Sequence, residues 1–121
     1  MTLEGDIQNK VRLALGSRPD VRLFRASVGR YRLLTRPEQV IKIGTDGQAD
    51  LNGIIQGVPC PNCGHHGSRR LEVEIKRPGK NLDPDQVKWR EMMLRFGAVH
   101  ITAHSPEEAI QAIEQALHGE S

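Results

Sequence analysis

Residues 69–103 of the chain read RRLEVEIKRPGKNLDPDQVKWREMMLRFGAVHITA and contain the strongest signals of fold class in the sequence. Charged and apolar side chains alternate over residues 69–76, which predicts a strand. The sequence DPDQ at 83–86 is a capping box with proline at the first helical position, so a helix is predicted over residues 83–96. Residues 98–103 then form a short second strand. A strand, a helix and a strand in this order predict a parallel pair of strands joined by a helical crossover.

The remaining elements follow from hydrophobic periodicity and turn residues along the rest of the chain. We predict a first helix over Leu3–Leu15, a hairpin with strands near 21–23 and 31–33, strands at 40–43 and 49–56, a loop at 57–68 and a last helix over 105–117. The 121 residues leave room for one core, so we expect a single α/β domain over residues 1–121, with a mixed central sheet flanked by helices.

The composition excludes several classes of protein. Aromatic residues make up 3% of the chain, which disfavours a nucleic-acid module built on rows of stacking rings. The longest apolar runs are too short to cross a membrane, and residues 1–16 carry acids and amides where a signal peptide requires an apolar run. We therefore expect a soluble, cytoplasmic protein with no membrane partner.

Positive charge is concentrated in one segment, although the formal net charge of the chain is only +2. Residues 18–42 contain seven Lys and Arg residues against two acids, and their alternation with apolar residues puts arginines on the outward face of the predicted hairpin. Arginine suits bidentate phosphate contacts, so this face either binds nucleic acid or is simply solvated. The predicted DNA-binding residues are Arg22, Arg25, Arg30, Arg32, Arg36, Lys42, Arg77 and Lys80.

Glu74 and Lys76 lie two residues apart on a predicted strand, so their side chains leave the same face. Asp50 lies near the start of the preceding strand, and a hairpin through the 57–68 loop would bring it beside Glu74. The two carboxylates and the backbone carbonyl of Ile75 would form an oxygen site suited to Mg²⁺ or Mn²⁺, and Lys76 would orient water or stabilise charge on a phosphate. A Glu-x-Lys tripeptide is also common as a cross-strand ion pair, and Asp50 is otherwise a turn residue.

Glu4 and Gln86 are further candidates for the same catalytic site. Glu4 precedes Ile7 by three residues and Val11 by seven, which places its carboxylate on the apolar stripe of the first helix. Gln86 precedes Trp89 by three residues, on the inward face of the second helix. The alternative roles are interaction with the helix dipole for Glu4 and closure of the capping box for Gln86.

Asp50 followed by Glu74-Ile75-Lys76 resembles the signature of PD-(D/E)XK nucleases. The similarity to the VRR-NUC branch of that superfamily extends over Glu4 with Ile7-Gln8, the turn from Gly44 to Gly47, Arg77-Pro78-Gly79, Leu82, Gln86, Trp89 and Gly97-Ala98. The resemblance implies a restriction-endonuclease-like core. It makes Asp50 and Glu74 metal ligands, Ile75 a carbonyl ligand and Lys76 the catalytic lysine. It also implies that Glu4 completes or positions the metal site and that Gln86 hydrogen-bonds within it.

Cys60-Pro61-Asn62-Cys63-Gly64 has the sequence of a zinc-knuckle turn and departs from the family pattern. His65 or His66 would supply a third zinc ligand. The fourth would come from the other histidine, from the distant His100 or His104, or from a second subunit. The alternative is a metal-free loop with two reduced thiols.

From these observations we expect a Mg²⁺- or Mn²⁺-dependent endodeoxyribonuclease that cuts branched DNA such as Holliday junctions, as small members of the family do. Two cuts in one junction require two sites, so a homodimer is predicted. The alternative is a non-catalytic nucleic-acid-binding module that uses the basic hairpin and the zinc knuckle, and an RNA-directed nuclease is a third possibility.

Overall fold

The computed structural model describes residues 3–26, 29–32, 34–36 and 38–119, and for residues 29–32 and 41–43 it describes the backbone. The elements are α1 (Leu3–Gly16), β1 (Val21–Arg25), β2 (Gly29–Arg32), β3 (Val40–Ile43), β4 (Leu51–Gln56), β5 (Ser68–Ile75), α2 (Pro84–Arg95), β6 (Val99–Ala103) and α3 (Pro106–Leu117). The predicted order of helices and strands is therefore confirmed. In this described part of the chain, no helix combines the length and apolar composition needed to span a membrane.

The main sheet of the described residues contains four strands in the order β1, β4, β5, β6. β4 pairs antiparallel with both β1 and β5, and the residues between β4 and β5 form the loop that was predicted there. β5 and β6 pair in parallel through the α2 crossover. A mixed sheet flanked by helices, and hence an α/β domain, is confirmed.

The predicted hairpin of β1 with β2 is wrong. β1 joins the edge of the main sheet by pairing with β4, whereas β2 pairs with β3 in a separate two-stranded ribbon. The pairing with β4 matches Val21 to Ile55 and so places both side chains in the helix-covered core. Alternation of apolar and polar residues shows which face of β1 is apolar, but it does not show which strand pairs with β1. Burial of the apolar face decides that pairing.

α1 and α3 cover one face of the main sheet and build the hydrophobic core there. Val11 and Leu15 from α1, Ile113 from α3 and Val73 from β5 are fully buried in one cluster. α2 lies against the opposite face near β6, with Met93 buried. The side chains of β4 and β5 that point away from the core therefore meet α2 or the solvent.

Arg18 ties the end of α1 to the sheet and to α3. Its Nε and NH2 donate hydrogen bonds to the two carboxylate oxygens of Asp20, at 2.9 and 3.1 Å, and its NH1 lies 2.7 Å from Oε1 of Glu114. The hydrogen bonds from Arg18 hold the pKa of the Asp20 carboxyl below its usual value.

We expect Asp20→Asn to lower the free energy of unfolding by about 1 kcal/mol at pH 7, because the charged partner of Arg18 is lost while solvent screens the pair. A lowered folded-state pKa stabilises the protein fully above the unfolded-state value of about 3.9 and loses that effect as the pH falls through the folded-state value. The difference between variant and unaltered protein should therefore shrink below about pH 4. Urea unfolding at several pH values measures it, and a difference that stays constant with pH contradicts this account.

Candidate active site

β5 carries acidic side chains into the interior of the protein. Its residues from Leu71 to Ile75 are all buried, and strand alternation sends the apolar ones into the core under α1 and α3. Glu72 and Glu74 point to the opposite face, where Glu72 is fully buried and Glu74 is 4% exposed. A buried carboxylate is costly without hydrogen bonds or a cation, so each of these acids requires a partner.

The structure brings Asp50 beside Glu74. Leu51 of β4 pairs with Val73 of β5, and the antiparallel register continued by one residue puts Asp50 opposite Glu74. The backbone N–H of Ile75 donates a hydrogen bond of 3.3 Å to Oδ2 of Asp50. The carboxylate of Asp50 therefore contacts β5 and does more than shape a turn. β4 itself begins at Leu51, two residues later than the predicted strand.

The turn before Asp50 is held against the start of α2. Gly47 has a φ of +84°, and a methyl group on its Cα would overlap the carbonyl oxygen of Asp85. Glycine is required for two reasons, since other residues disfavour this backbone conformation and the two backbones approach too closely for a side chain. This contact sets the position of Asp50 relative to the first turn of α2.

Gln86 connects α2 to Glu74 through both ends of its amide. Oε1 accepts the backbone N–H of Asp83 at 2.8 Å, which is the glutamine half of the capping box. Nε2 donates to Oε1 of Glu74 at 3.0 Å. Gln86 therefore closes the capping box and also contacts Glu74, while a role for Gln86 in catalysis stays a prediction.

The second oxygen of Glu74 is buried and has no hydrogen-bond partner among the described residues. Burial, followed by repulsion from Asp50 and by the hydrogen bond that the protonated carboxyl makes to Asp50, raises the pKa of Glu74 to about 9, and the charge of Lys76 opposes this shift without cancelling it. Two adjacent carboxyl groups with an unpaired buried oxygen are hard donors that a divalent cation would satisfy. These residues therefore fit Mg²⁺ or Mn²⁺.

Lys76 follows the last residue of β5 instead of lying inside the strand, but its backbone N–H still donates to the carbonyl of Ala103 at 3.0 Å. Strand alternation continued by that pairing puts its side chain on the Glu74 side of the sheet. The side chain is mostly buried, and Nζ lies 3.7 Å from Oδ2 of the exposed Asp83. A positive charge is thereby held close to the carboxyl pair.

Glu4 does not join the two carboxyl groups. α1 buries Ile7 and Val11 as predicted, but the Glu4 side chain is 47% exposed and its Oε1 lies 3.8 Å from Nε of Arg77. The prediction that Glu4 points toward the core is wrong. Its carboxylate instead lies in contact with water, beside the positive charge of the exposed Arg77. In the residues that the structure describes, no three His, Cys, Asp or Glu side chains form a metal-binding group.

Glu72 is a buried acid that was absent from the predicted site. Both of its oxygens accept the indole N–H of Trp89, at 2.9 and 3.1 Å, and Nε of Arg70 lies 3.6 Å away. The sequence already indicated that Glu72 lies close to α2. Glu72 and Glu74 are two residues apart and so point to the same face of the strand, and Trp89 is one turn after Gln86 on α2. Trp89 therefore anchors α2 on β5, and Glu72, unlike Glu74, has its hydrogen bonds made.

The predicted DNA-binding residues do not form one hairpin face. Arg22 and Arg25 are both exposed on β1, but their spacing of three residues puts them on opposite sides of the sheet. Others are exposed in connecting segments, namely Arg36 before β3 and Arg77 and Lys80 after β5. Three more have side chains that lie outside the described part of the structure, namely Arg30, Arg32 and Lys42.

The loop between β4 and β5 contains Cys60 and Cys63, the two cysteines that were predicted to bind zinc. Backbone N–H groups of Cys63 and Asn62, together with the Cys63 thiol, lower the pKa of the Cys60 thiol. The rings of His65 and His66 stack on each other with centroids 6.4 Å apart. Among the described residues, neither histidine joins the two cysteines in a group of three metal ligands, so zinc binding stays a prediction.

Comparison of this chain with models of protein families, with curated proteins and with solved structures finds no match. Membership of the VRR-NUC branch therefore stays a prediction from the motif residues, and the candidate site rests on its own geometry.

We expect Gly47→Ala to lower the free energy of unfolding by more than about 2 kcal/mol, because the methyl group adds steric overlap with Asp85 to an unfavourable backbone conformation. The matched control is Gly16→Ala at the end of α1, where no atom lies within 4 Å of the added methyl group. That control should be neutral or slightly stabilising, since alanine favours helices more than glycine does. Urea unfolding measures both variants, and equal stability of the two would contradict the close approach at Gly47.

Proposed function

We propose that this protein is a divalent-metal-dependent endodeoxyribonuclease similar to the VRR-NUC branch of the PD-(D/E)XK nucleases. The observation that carries the proposal is the pair of carboxyl groups, the half-buried Asp50 and the buried Glu74, with the ammonium group of Lys76 close to them. Two adjacent acids and an unpaired buried oxygen lower stability, and such costs are typical of functional sites.

Asp50, Glu74 and the backbone carbonyl of Ile75 would hold Mg²⁺ or Mn²⁺. When bound, such a cation supplies positive charge that polarises a phosphodiester and lowers the pKa of water. Gln86 holds Oε1 of Glu74 in place and leaves Oε2 without a protein partner. Lys76 keeps a positive charge on the same side of the sheet, where it orients the attacking water and stabilises negative charge on the phosphate.

DNA is the proposed substrate because exposed basic residues lie in the loop after Lys76 and on the side of the sheet that carries Glu74. Arg77 and Lys80 follow Lys76 in the loop after β5, and Arg22 is exposed on β1. Contacts to phosphates position DNA without reading its sequence, so we propose selectivity for branched structure. One chain carries one candidate site, so two cuts in a Holliday junction would require a homodimer.

The test is cleavage of labelled four-way junction, flap and linear duplex DNA with Mg²⁺ or Mn²⁺. We expect the unaltered protein to cut a branched substrate. Lys76→Ala and Asp50→Asn should each cut at least about 100-fold more slowly, since each removes a group that acts on charge in the transition state. Glu107→Gln, which changes an exposed acid at the start of α3, is the matched control and should cut at the normal rate.

Metal binding is measured in the same samples by thermal unfolding. Mn²⁺ should raise the unfolding temperature of the unaltered protein and of Glu107→Gln but not that of Glu74→Gln, since a ligand that binds only the folded state stabilises it. Absence of cleavage with both cations, or a Lys76→Ala variant that cuts as fast as the unaltered protein, overturns the proposed activity.

A non-catalytic nucleic-acid-binding module is the second candidate, and the lowered pKa of the Cys60 thiol favours it. Two cysteines three residues apart, one of them with a lowered thiol pKa, are a starting point for zinc binding. Under this alternative, Cys60→Ser and removal of zinc by a chelator should both abolish DNA binding, and Glu74→Gln should leave it unchanged. Under the nuclease proposal, Cys60→Ser leaves cleavage unchanged. The loop that contains Cys60 precedes the first residue of β5, whereas Glu74 lies near the last residue of that strand.

A further inference from the structure

One part of the main sheet is open to solvent on the side that carries the carboxyl pair. α2 covers β6 and the part of β5 around Glu72 and Glu74 there, whereas on β1 and β4 the side chains of Phe24 and Ile54 are 60% and 52% exposed. Arg22 on β1 and Arg70 on β5 are exposed on the same side. We call Arg22, Phe24, Ile54 and Arg70 the open platform.

The strand register arranges the open platform in rows that lead to the carboxyl pair. Arg22 pairs with Ile54, which pairs with Arg70, so one row has an arginine at each end and an apolar side chain between them. The next row joins Phe24 to Asn52 and Glu72. The row after that would contain Asp50 and Glu74. Rows on one side of a sheet are two residues apart, so the arginine row lies about 13 Å from Glu74 along β5.

The chemistry of these rows fits an unpaired nucleic-acid strand. An aromatic ring lying open on a sheet can stack on a base, and bases inside a duplex do not offer their faces. Arg22 and Arg70 supply positive charge for the phosphates on either side. The buried Glu72 in the middle row repels that strand little, because α2 covers it and Nε of Arg70, 3.6 Å from Oε2, offsets its charge, which leaves Arg22 as the main positive charge for the phosphates. Charge complementarity therefore favours a polyanion over an apolar protein partner.

We propose that the open platform binds an unpaired DNA segment of roughly two or three nucleotides beside the phosphate that is to be cut. The inference rests on the proposed nuclease function and names its substrate class, which is DNA with a single-stranded flap or a splayed branch. Plain duplex lacks the unpaired base that Phe24 contacts and is therefore a poor substrate.

The test is binding of a fluorescent ten-nucleotide single strand and of a blunt duplex, measured by anisotropy with EDTA present so that nothing is cut. We expect Phe24→Ala to weaken single-strand binding about tenfold and to leave duplex binding unchanged, since base stacking is lost. Phe24→Trp should bind the single strand at least as tightly as the unaltered protein. Arg22→Ala with Arg70→Ala should weaken binding and reduce its salt dependence.

The matched controls lie on α1, on the other side of the sheet. Leu13 is 78% exposed and Arg12 is exposed, so Leu13→Ala and Arg12→Ala remove comparable side chains and should leave binding unchanged. Phe24 is exposed, so its variant should fold, which circular dichroism checks.

Two results overturn the proposed role of the open platform. One is that the unaltered protein shows no measurable binding of the single strand, and the other is that Phe24→Ala binds the single strand as tightly as the unaltered protein does. Its failure is distinct from failure of the nuclease proposal. A protein that binds single strands through Phe24 but cuts nothing with Mn²⁺ keeps the platform and loses the nuclease. A protein that cuts branched DNA while Phe24→Ala binds and cuts normally keeps the nuclease and loses the platform.

Discussion

The antiparallel pairing of β4 with β5 holds both the hydrophobic core and the candidate site in place. Its register joins Leu51 to Val73 and so brings Asp50 to Glu74 from 24 positions away in the chain. A slip of one residue would turn each β4 side chain to the other face, which would expose Leu51 and Ile55 and bury polar Asn52. Burial of the apolar side of β4 thus holds the two acids together, and the hydrophobic core under α1 and α3 maintains a site that lies on the other side of the sheet.

The two faces of the sheet have separate roles. One face has a continuous apolar surface under two helices and supplies most of the stability of the domain. The other face carries Glu72, Glu74 and the open platform, and α2 covers it only near β5 and β6. Because α2 is anchored by Trp89 on Glu72 and by Gln86 on Glu74, the helix covers the acids without closing the sheet over β1 and β4.

Much of the candidate site could be predicted from the sequence because its spacing is local. Glu74 and Lys76 share one strand face by parity, and the DPDQ capping box placed Gln86 at a known position on α2. Asp50 required one further assumption, that consecutive strands pair, which holds for β4 and β5. The same assumption was wrong for β1 and β2, and the basic residues expected on one hairpin are therefore divided between the main sheet and a separate ribbon. Glu4 does not lie with the predicted acids. Helical periodicity shows which face of α1 carries Glu4, but it does not show how far along the helix that face is buried.

The order of the elements, the parallel crossover, the apolar faces and the Glu-Ile-Lys motif could all be read from the sequence, because each depends on residues close together in the chain. Tertiary structure decided which strands pair, which acid has its hydrogen bonds made, and which side chains α2 leaves exposed. Those outcomes depend on contacts between distant segments: Trp89 takes both oxygens of Glu72, Glu74 keeps one oxygen without a partner among the described residues, and Phe24 lies open beside them. Alternation alone treats Glu72 and Glu74 alike, and it is packing of α2 across the sheet that makes them different.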